Sequence, residues 1–150
     1  MFYNFRKNKK AFTLVELIVV VAIIAILGAV VGVTVSRFVD SAREKAAKSP
    51  LQSLADQWDA YKVDEPNFNL GQVVESLFPN DKASFSCSVA TNWTTKLTAI
   101  TSGTFYIYFH DSNTGKYWGS LKVVDGVPQK TSSGLTVTET DPKGTGWKKA

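Results

Sequence analysis

The longest feature of the hydrophobic pattern is an apolar run, FTLVELIVVVAIIAILGAVVGVTV, which covers residues 12–35. As a helix this run extends about 36 Å, which exceeds the roughly 30 Å hydrocarbon core of a bilayer. It is too long for a secretory signal peptide, whose apolar region usually has about 7 to 15 residues. The run therefore predicts a membrane-spanning helix, and a plain membrane anchor is one interpretation of it.

Residues 36–62 change to an amphipathic pattern without a loop signal, so we expect the helix to continue out of the membrane. Ser49 and Pro50 predict a break or kink, with Ser49 and Gln52 forming a capping box around a restarted helix. Beyond it, apolar residues recur at steps of three and four and predict one apolar face: Leu51, Leu54, Ala55, Trp58 and Tyr61. Such a face requires a sheet to cover it.

The C-terminal part is rich in β-branched and aromatic residues bounded by turn signals, which is typical of strands. Before it, from Val63 to Ala83, we expect a loop with one short helix, Leu70 to Phe78. Strands are predicted for FSCSVA, KLTAIT, TFYIYFH, KYWGSLKVV and GLTVTET. Phe105 to His110 and Tyr117 to Val124 form the clearest hairpin, and Asp125-Gly126 predicts a further turn. The predicted fold is α+β: a long N-terminal helix, first hydrophobic and then amphipathic, packed on a C-terminal antiparallel sheet.

The positive charge of the chain is concentrated in its first residues. Of the 17 lysine and arginine residues, four lie in residues 1–11 where there is no acid, and the other 13 balance the 13 acidic residues. A basic, polar segment before an apolar run is typical of a leader held in the cytoplasm by its charge. The neutral remainder argues against direct nucleic-acid binding.

The residue types that carry most enzyme and metal chemistry are scarce, with one histidine, His110, and one cysteine, Cys87. They offer no catalytic pairing and no zinc-ligand spacing, so we expect no enzyme, no cofactor and no metal site. Cys87 cannot form an intrachain disulfide and is expected in the core. Calcium binding by Asp125, Glu139 and Asp141 is disfavoured because their spacing matches no loop signature. Five aromatic residues of the C-terminal part are expected to pack in the core and on the sheet, and an adhesive surface formed by them is the alternative: Trp93, Trp118, Trp147, Tyr106 and Tyr108.

One charge, Glu16, lies just inside the apolar run, where a carboxylate costs a few kcal/mol and where a plain anchor has no need of it. The surrounding stretch, KKAFTLVELIVVVAIIAIL, resembles the class III signal of type IV prepilins and pseudopilins. That signal consists of a basic leader, a small residue, then Phe-Thr-Leu-Ile/Val-Glu-Leu and an apolar helix. The resemblance implies a pilin-like fold, cleavage between Ala11 and Phe12 by a prepilin peptidase, and methylation of the new amino terminus on Phe12.

Two positions depart from the family pattern: Ala11 replaces the usual glycine, and Val33 replaces a proline around which the helix loosens on assembly. Alanine is small enough for processing to be expected. The loosening is in doubt, although Gly28 and Gly32 weaken the helix and also have the spacing of a close helix contact.

In an assembled filament we expect the Phe12 amine of a neighbouring subunit to neutralise Glu16, which sets the register of the two helices. Cohesion is expected from large apolar side chains of the run, chiefly Leu14, Leu17, Ile18, Val21 and Ile24. The predicted function is therefore that of a type IV pilin, a structural subunit that polymerises through its N-terminal helix into an extracellular pilus for adhesion, twitching motility or DNA uptake.

The predicted organisation is a cleaved leader at 1–11, a transmembrane and assembly helix at 12–35, its amphipathic continuation at 36–62 and a globular domain at 63–150. The partners implied are copies of the chain in a helical filament, minor pilins, the prepilin peptidase, an assembly platform protein and, before assembly, the membrane. Until assembly the chain is expected to be a single-pass membrane protein with a cytoplasmic leader, and afterwards a part of the cell-surface pilus. A pseudopilin of a type II secretion or competence system is the nearest alternative. A membrane-anchored extracellular binding domain is the alternative from another class.

Overall fold

A computed structural model of the chain describes residues 12–88 and 93–142, together with the backbone of Lys148–Lys149. The predicted leader, its last residue Ala11, and Trp147 lie outside the described residues. Residue contacts divide the chain into two compact units, one up to Val39 and one from Asp40 onward. The predicted α+β fold, with a long N-terminal helix and a C-terminal antiparallel sheet, is confirmed.

Helix α1 spans Leu14–Asp64 and takes part in both units. Up to Val39 its large apolar side chains are exposed. From Ala47 onward one face is buried, and its members confirm the predicted stripe: Ala47, Leu51, Leu54, Ala55 and Trp58. Tyr61 packs at the edge of the same core.

The helix continues through Pro50, so the prediction of a new helix starting at Ser49 is wrong. A proline inside a helix removes one backbone hydrogen bond and costs about 3 kcal/mol. Its neighbours Leu51 and Leu54 are fully buried, and each such side chain contributes about 1.5–3 kcal/mol. Burial of the face that follows Pro50 therefore outweighs the local preference for a break.

The sheet contains six strands within the described residues, β1 (Phe85–Cys87), β2 (Thr104–Phe109), β3 (Trp118–Val124), β4 (Val127–Pro128), β5 (Leu135–Thr138) and β6 (Lys148–Lys149). All pairs are antiparallel, in the order β4-β3-β2-β1-β6, and β5 also pairs with β3.

The hairpin of β2 and β3 is confirmed, with Thr104 opposite Val124 and Phe109 opposite Gly119. The turn at Asp125-Gly126 is also confirmed, since both residues have a positive φ and join β3 to β4. Alternate residues of β2 enter the core, where Phe105, Ile107 and Phe109 join the helix face.

The prediction of a strand at KLTAIT is wrong, because Leu97–Ala99 forms a short 3-10 helix. Leu97 and Ile100 are both buried, and the N–H of Leu97 donates to the carbonyl oxygen of Phe68 at 3.0 Å. A spacing of three places both side chains inward on a 3-10 turn, whereas a strand would direct them to opposite faces.

The short helix α2 spans Leu70–Leu77 and confirms the predicted helix in the connecting segment. It begins with a capping box between Asn69 and Gln72, which was not predicted. Val73 and Val74 on this helix are buried in the core.

Candidate assembly and processing site

The apolar segment, residues 12–35, exposes every large apolar residue that it contains, at 50–86% of the residue's full accessible surface. Helix α1 is long and apolar enough to cross a membrane, and none of its most apolar stretch is buried within the chain. This exposed surface requires lipid or another protein to cover it, because contiguous apolar patches of this size are rare on soluble monomers.

Glu16 lies in the first turn of α1, where it forms a capping box with Thr13. The Thr13 N–H donates to Glu16 Oε2 at 2.9 Å, and the Glu16 N–H donates to Thr13 Oγ1 at 3.2 Å. The Thr13 hydroxyl also donates to Oε2, at 3.1 Å. These bonds satisfy two amides that the helix cannot pair internally and hold the carboxylate beside the helix start.

Both described hydrogen bonds to the Glu16 side chain reach the same oxygen, Oε2. The carboxylate can therefore accept further donors through Oε1 without losing its cap. Its position also suits a negative charge, since the amide groups of a helix N-terminus carry partial positive charge. Glu16 was predicted as a site residue and Thr13 was not, although TLVE fits the Ser/Thr-x-x-Glu pattern of a capping box.

The last part of the apolar segment combines two glycines with one hydroxyl side chain, Thr34, that bonds back to the helix. A Cβ atom added at Gly28 or Gly32 would meet nothing within 4 Å. The Thr34 hydroxyl donates to the carbonyl oxygens of Val30 and Val31 at 3.2 and 2.9 Å. Such bonds compete with the helical ladder and slightly destabilise it.

Residues 6–32 match the family model of the prokaryotic N-terminal methylation motif. The chain carries the class III signal of type IV pilins. The class III signal supports a place in the prepilin family of type IV pilins and pseudopilins, whose members are structural subunits. It implies processing by a prepilin peptidase, and with the long apolar helix it fits a membrane-anchored pilin. A search of curated proteins and a search of solved structures found no match.

The class III signal covers Ala11 to Phe12, the predicted cut, as well as Glu16. Phe12 precedes α1 in non-helical backbone, while Ala11 lies outside the described residues. The predicted assembly residues all lie on α1 with their side chains exposed: Leu14, Leu17, Ile18, Val21 and Ile24.

Away from the class III signal, the acids considered for calcium binding have other contacts. Asp125 Oδ1 accepts the Gly103 N–H at 2.8 Å, and Glu139 forms an ion pair with Lys116 at 3.0 Å. No cluster of three or more His, Cys, Asp and Glu side chains suited to a metal ion occurs among the described residues.

The aromatic residues considered for adhesion do not share one environment. Trp93 is buried in the core. Tyr106 and Tyr108 stack with ring centroids 6.2 Å apart. Trp118 stacks on His110 at 3.9 Å, while His110 Nε2 lies 2.8 Å from the Gly115 carbonyl oxygen. His110 therefore has a structural environment, on a strand end beside a turn.

Proposed function

We propose that this chain is a type IV pilin, a structural subunit that polymerises through its N-terminal helix into an extracellular filament. One observation carries the proposal: a hydrogen-bonded carboxylate, Glu16, lies in the first turn of an exposed apolar helical segment inside a methylation motif. A plain anchor explains the apolar helix and gives the carboxylate no role beyond capping that helix.

In this proposal, cleavage between Ala11 and Phe12 releases a positively charged amine four residues before Glu16. Methylation of that amine on Phe12 keeps the charge. Thr13 and Glu16 both follow the cut, so the capping box stays intact in the mature chain. Glu16 Oε1 is then the acceptor for the Phe12 amine of a neighbouring subunit.

The amine and the carboxylate attract each other by about 4 kcal/mol at 4 Å and an effective dielectric near 20, before desolvation is subtracted. Most of that energy offsets the cost of taking both charges out of water, so the contact sets register more than it adds stability. Cohesion comes instead from close packing of large side chains such as Leu17, Val21 and Ile24.

The proposed organisation follows from these roles. Residues 1–11 form the cytoplasmic leader, 12–35 the transmembrane and assembly helix, 36–62 its continuation and 63–150 the domain exposed at the cell surface. The partners are further copies of the chain, minor pilins, the peptidase and an assembly platform protein.

Three variants test the role of Glu16, because the capping box allows its charge to be separated from its hydrogen bonds. Glu16→Gln keeps an acceptor oxygen for Thr13 and removes the charge, while Glu16→Ala removes both. Glu44→Gln is the matched control, since Glu44 is an exposed glutamate on the same helix. Filaments sheared from cells are counted by electron microscopy, and the membrane-bound subunit is quantified by immunoblotting.

We expect both Glu16 variants to enter the membrane normally and to yield few filaments, and Glu44→Gln to behave as the unsubstituted chain. If Glu16→Gln assembles normally and only Glu16→Ala fails, the residue acts as a helix cap and the charge-pairing proposal is wrong. Normal assembly of all three contradicts any role for Glu16 in the filament.

Mass spectrometry of the mature chain tests processing separately. The proposal requires a chain that begins at Phe12 and carries a methyl group on its amine. A recovered chain that retains residues 1–11 contradicts it. Long pili that disappear when the gene is deleted favour a pilin, and unchanged pili favour a minor subunit or a pseudopilin.

A further inference from the structure

Two large apolar residues of α1, Phe38 and Val39, lie just beyond the apolar segment. Phe38 is 78% exposed and Val39 is 38% exposed, although polar residues flank them on both sides. Elsewhere on α1 after Val35, the only other exposed large apolar residue among those described is Val63, also at 78%.

A bilayer does not account for the exposure of Phe38. Leu14 to Val35 already extends about 33 Å as a helix, enough for the roughly 30 Å hydrocarbon core. Phe38 lies about 4.5 Å farther along the axis, among the headgroups. Tyrosine and tryptophan, with a polar atom on the ring, are the aromatic residues suited to that depth, and phenylalanine has no such atom.

We propose that Phe38 and Val39 are contact residues for a second copy of the chain, whose helix is staggered by four residues. This inference rests on the proposed function, since the stagger comes from the pairing of Glu16 with the neighbour's Phe12. When two parallel helices place Glu16 of one level with Phe12 of the other, they are displaced by about 6 Å along the axis.

That displacement brings the neighbour's residues 12–35 level with residues 16–39 of the first copy. Phe38 is then level with the neighbour's Thr34, and Val39 with its Val35. The neighbour's apolar segment, residues 12–35, therefore ends level with Phe38 and Val39 of the first copy. Val31, Val35 and Phe38 also lie on one side of the helix, at steps of four and three, so Phe38 continues an apolar ridge.

Substitutions at Phe38 test the contact in the full chain. Removing one buried aromatic side chain from each contact lowers the association constant by about tenfold to a hundredfold. We therefore expect at least about tenfold fewer sheared filaments from Phe38→Ser than from the unsubstituted chain. Phe38→Leu keeps the apolar contact and should assemble much better. Val63→Ser is the matched control, because Val63 is equally exposed and lies outside the region covered by a four-residue stagger.

The amount of membrane-bound subunit, here called the membrane pool, is measured for each variant beside the number of filaments. An unchanged pool with fewer filaments supports contact with a second copy. A pool that falls in parallel with the filaments shows that Phe38 binds the lipid surface instead, and overturns the proposal. Normal filaments from Phe38→Ser also overturn it.

Cysteine crosslinking tests the stagger itself. Cells co-express Phe38→Cys with a second chain that carries one cysteine, at position 31, 34, 35 or 38. Every chain also carries Cys87→Ala, which removes the native thiol. We expect the dimer yield in sheared filaments to peak at 34 and 35. A peak at 38, or filaments that give no dimer with any of them, overturns the stagger while leaving the filament itself intact. Absence of filaments from the unsubstituted chain contradicts the proposed function instead.

Discussion

An alanine at Gly119 tests how closely α1 approaches the sheet. The Cβ of that alanine would overlap the carbonyl oxygen of Ala47 and lie 2.9 Å from Leu51 Cδ1. The Ala47 carbonyl belongs to the main chain of the helix, and Gly119 is held between Phe109 and Val137 in the sheet. Neither group can rotate away, so helix and strand must separate.

Overpacking of a core costs about 1–3 kcal/mol, and we expect the upper end here because the main clash involves two regular backbones. For a domain of about this size 1 kcal/mol shifts Tm by about 4 °C, so the expected decrease is about 12 °C. The full chain in detergent micelles is heated while tryptophan fluorescence is recorded, since Trp58 is fully buried in this core.

Gly28→Ala is the matched control, because a Cβ there has nothing within 4 Å and the residue lies outside the sheet-bearing unit. We expect the fluorescence transition of this variant to be unchanged. A decrease of less than about 2 °C for Gly119→Ala would show that the helix can move off the strand at little cost, and would refute the reasoning.

Two further predictions concern the same domain. Trp58→Phe loses the indole N–H bond of 3.0 Å to the Gly126 carbonyl oxygen, which Lys62 Nζ still contacts at 2.7 Å. Denaturant unfolding should therefore show a free energy of unfolding lower by about 1–2 kcal/mol. Adding Lys62→Met should lower it by more than the sum of the two single variants, because the carbonyl oxygen then has neither donor. Burial raises the pKa of Tyr108 above its ordinary 10.0, so the folded state keeps this proton longer than the unfolded state, and stability should fall as pH rises past about 10. Tyr108→Phe should flatten that fall in unfolding curves recorded at about pH 9 and 11, and an unchanged slope would contradict this assignment.

The apolar segment and its carboxylate were predictable because both are local features. Membrane-spanning length follows from counting apolar residues, and Glu16 stands out as one charge among them. The capping box with Thr13 was also readable from TLVE, since it depends on a spacing of three within one turn.

The sheet was predictable in part. The hairpin of β2 and β3 has alternating residues on both strands and a turn between them, so local pattern and tertiary structure agree. KLTAIT has the β-branched residues of a strand but becomes a 3-10 turn, because Leu97 and Ile100 both fill the core. Pro50 likewise stays within α1 because the face that follows it is buried.

By itself the sequence determined the features that depend on neighbouring residues: an apolar segment long enough to cross a membrane, the methylation motif, the apolar face of α1 and most strands. Tertiary structure decided the features that join distant residues. Trp58 meets the Gly126 carbonyl across 68 positions, and the absence of a side chain at Gly119 lets Ala47 of the helix approach the strand. No local pattern predicts these contacts, since each is set by the space that the other element leaves.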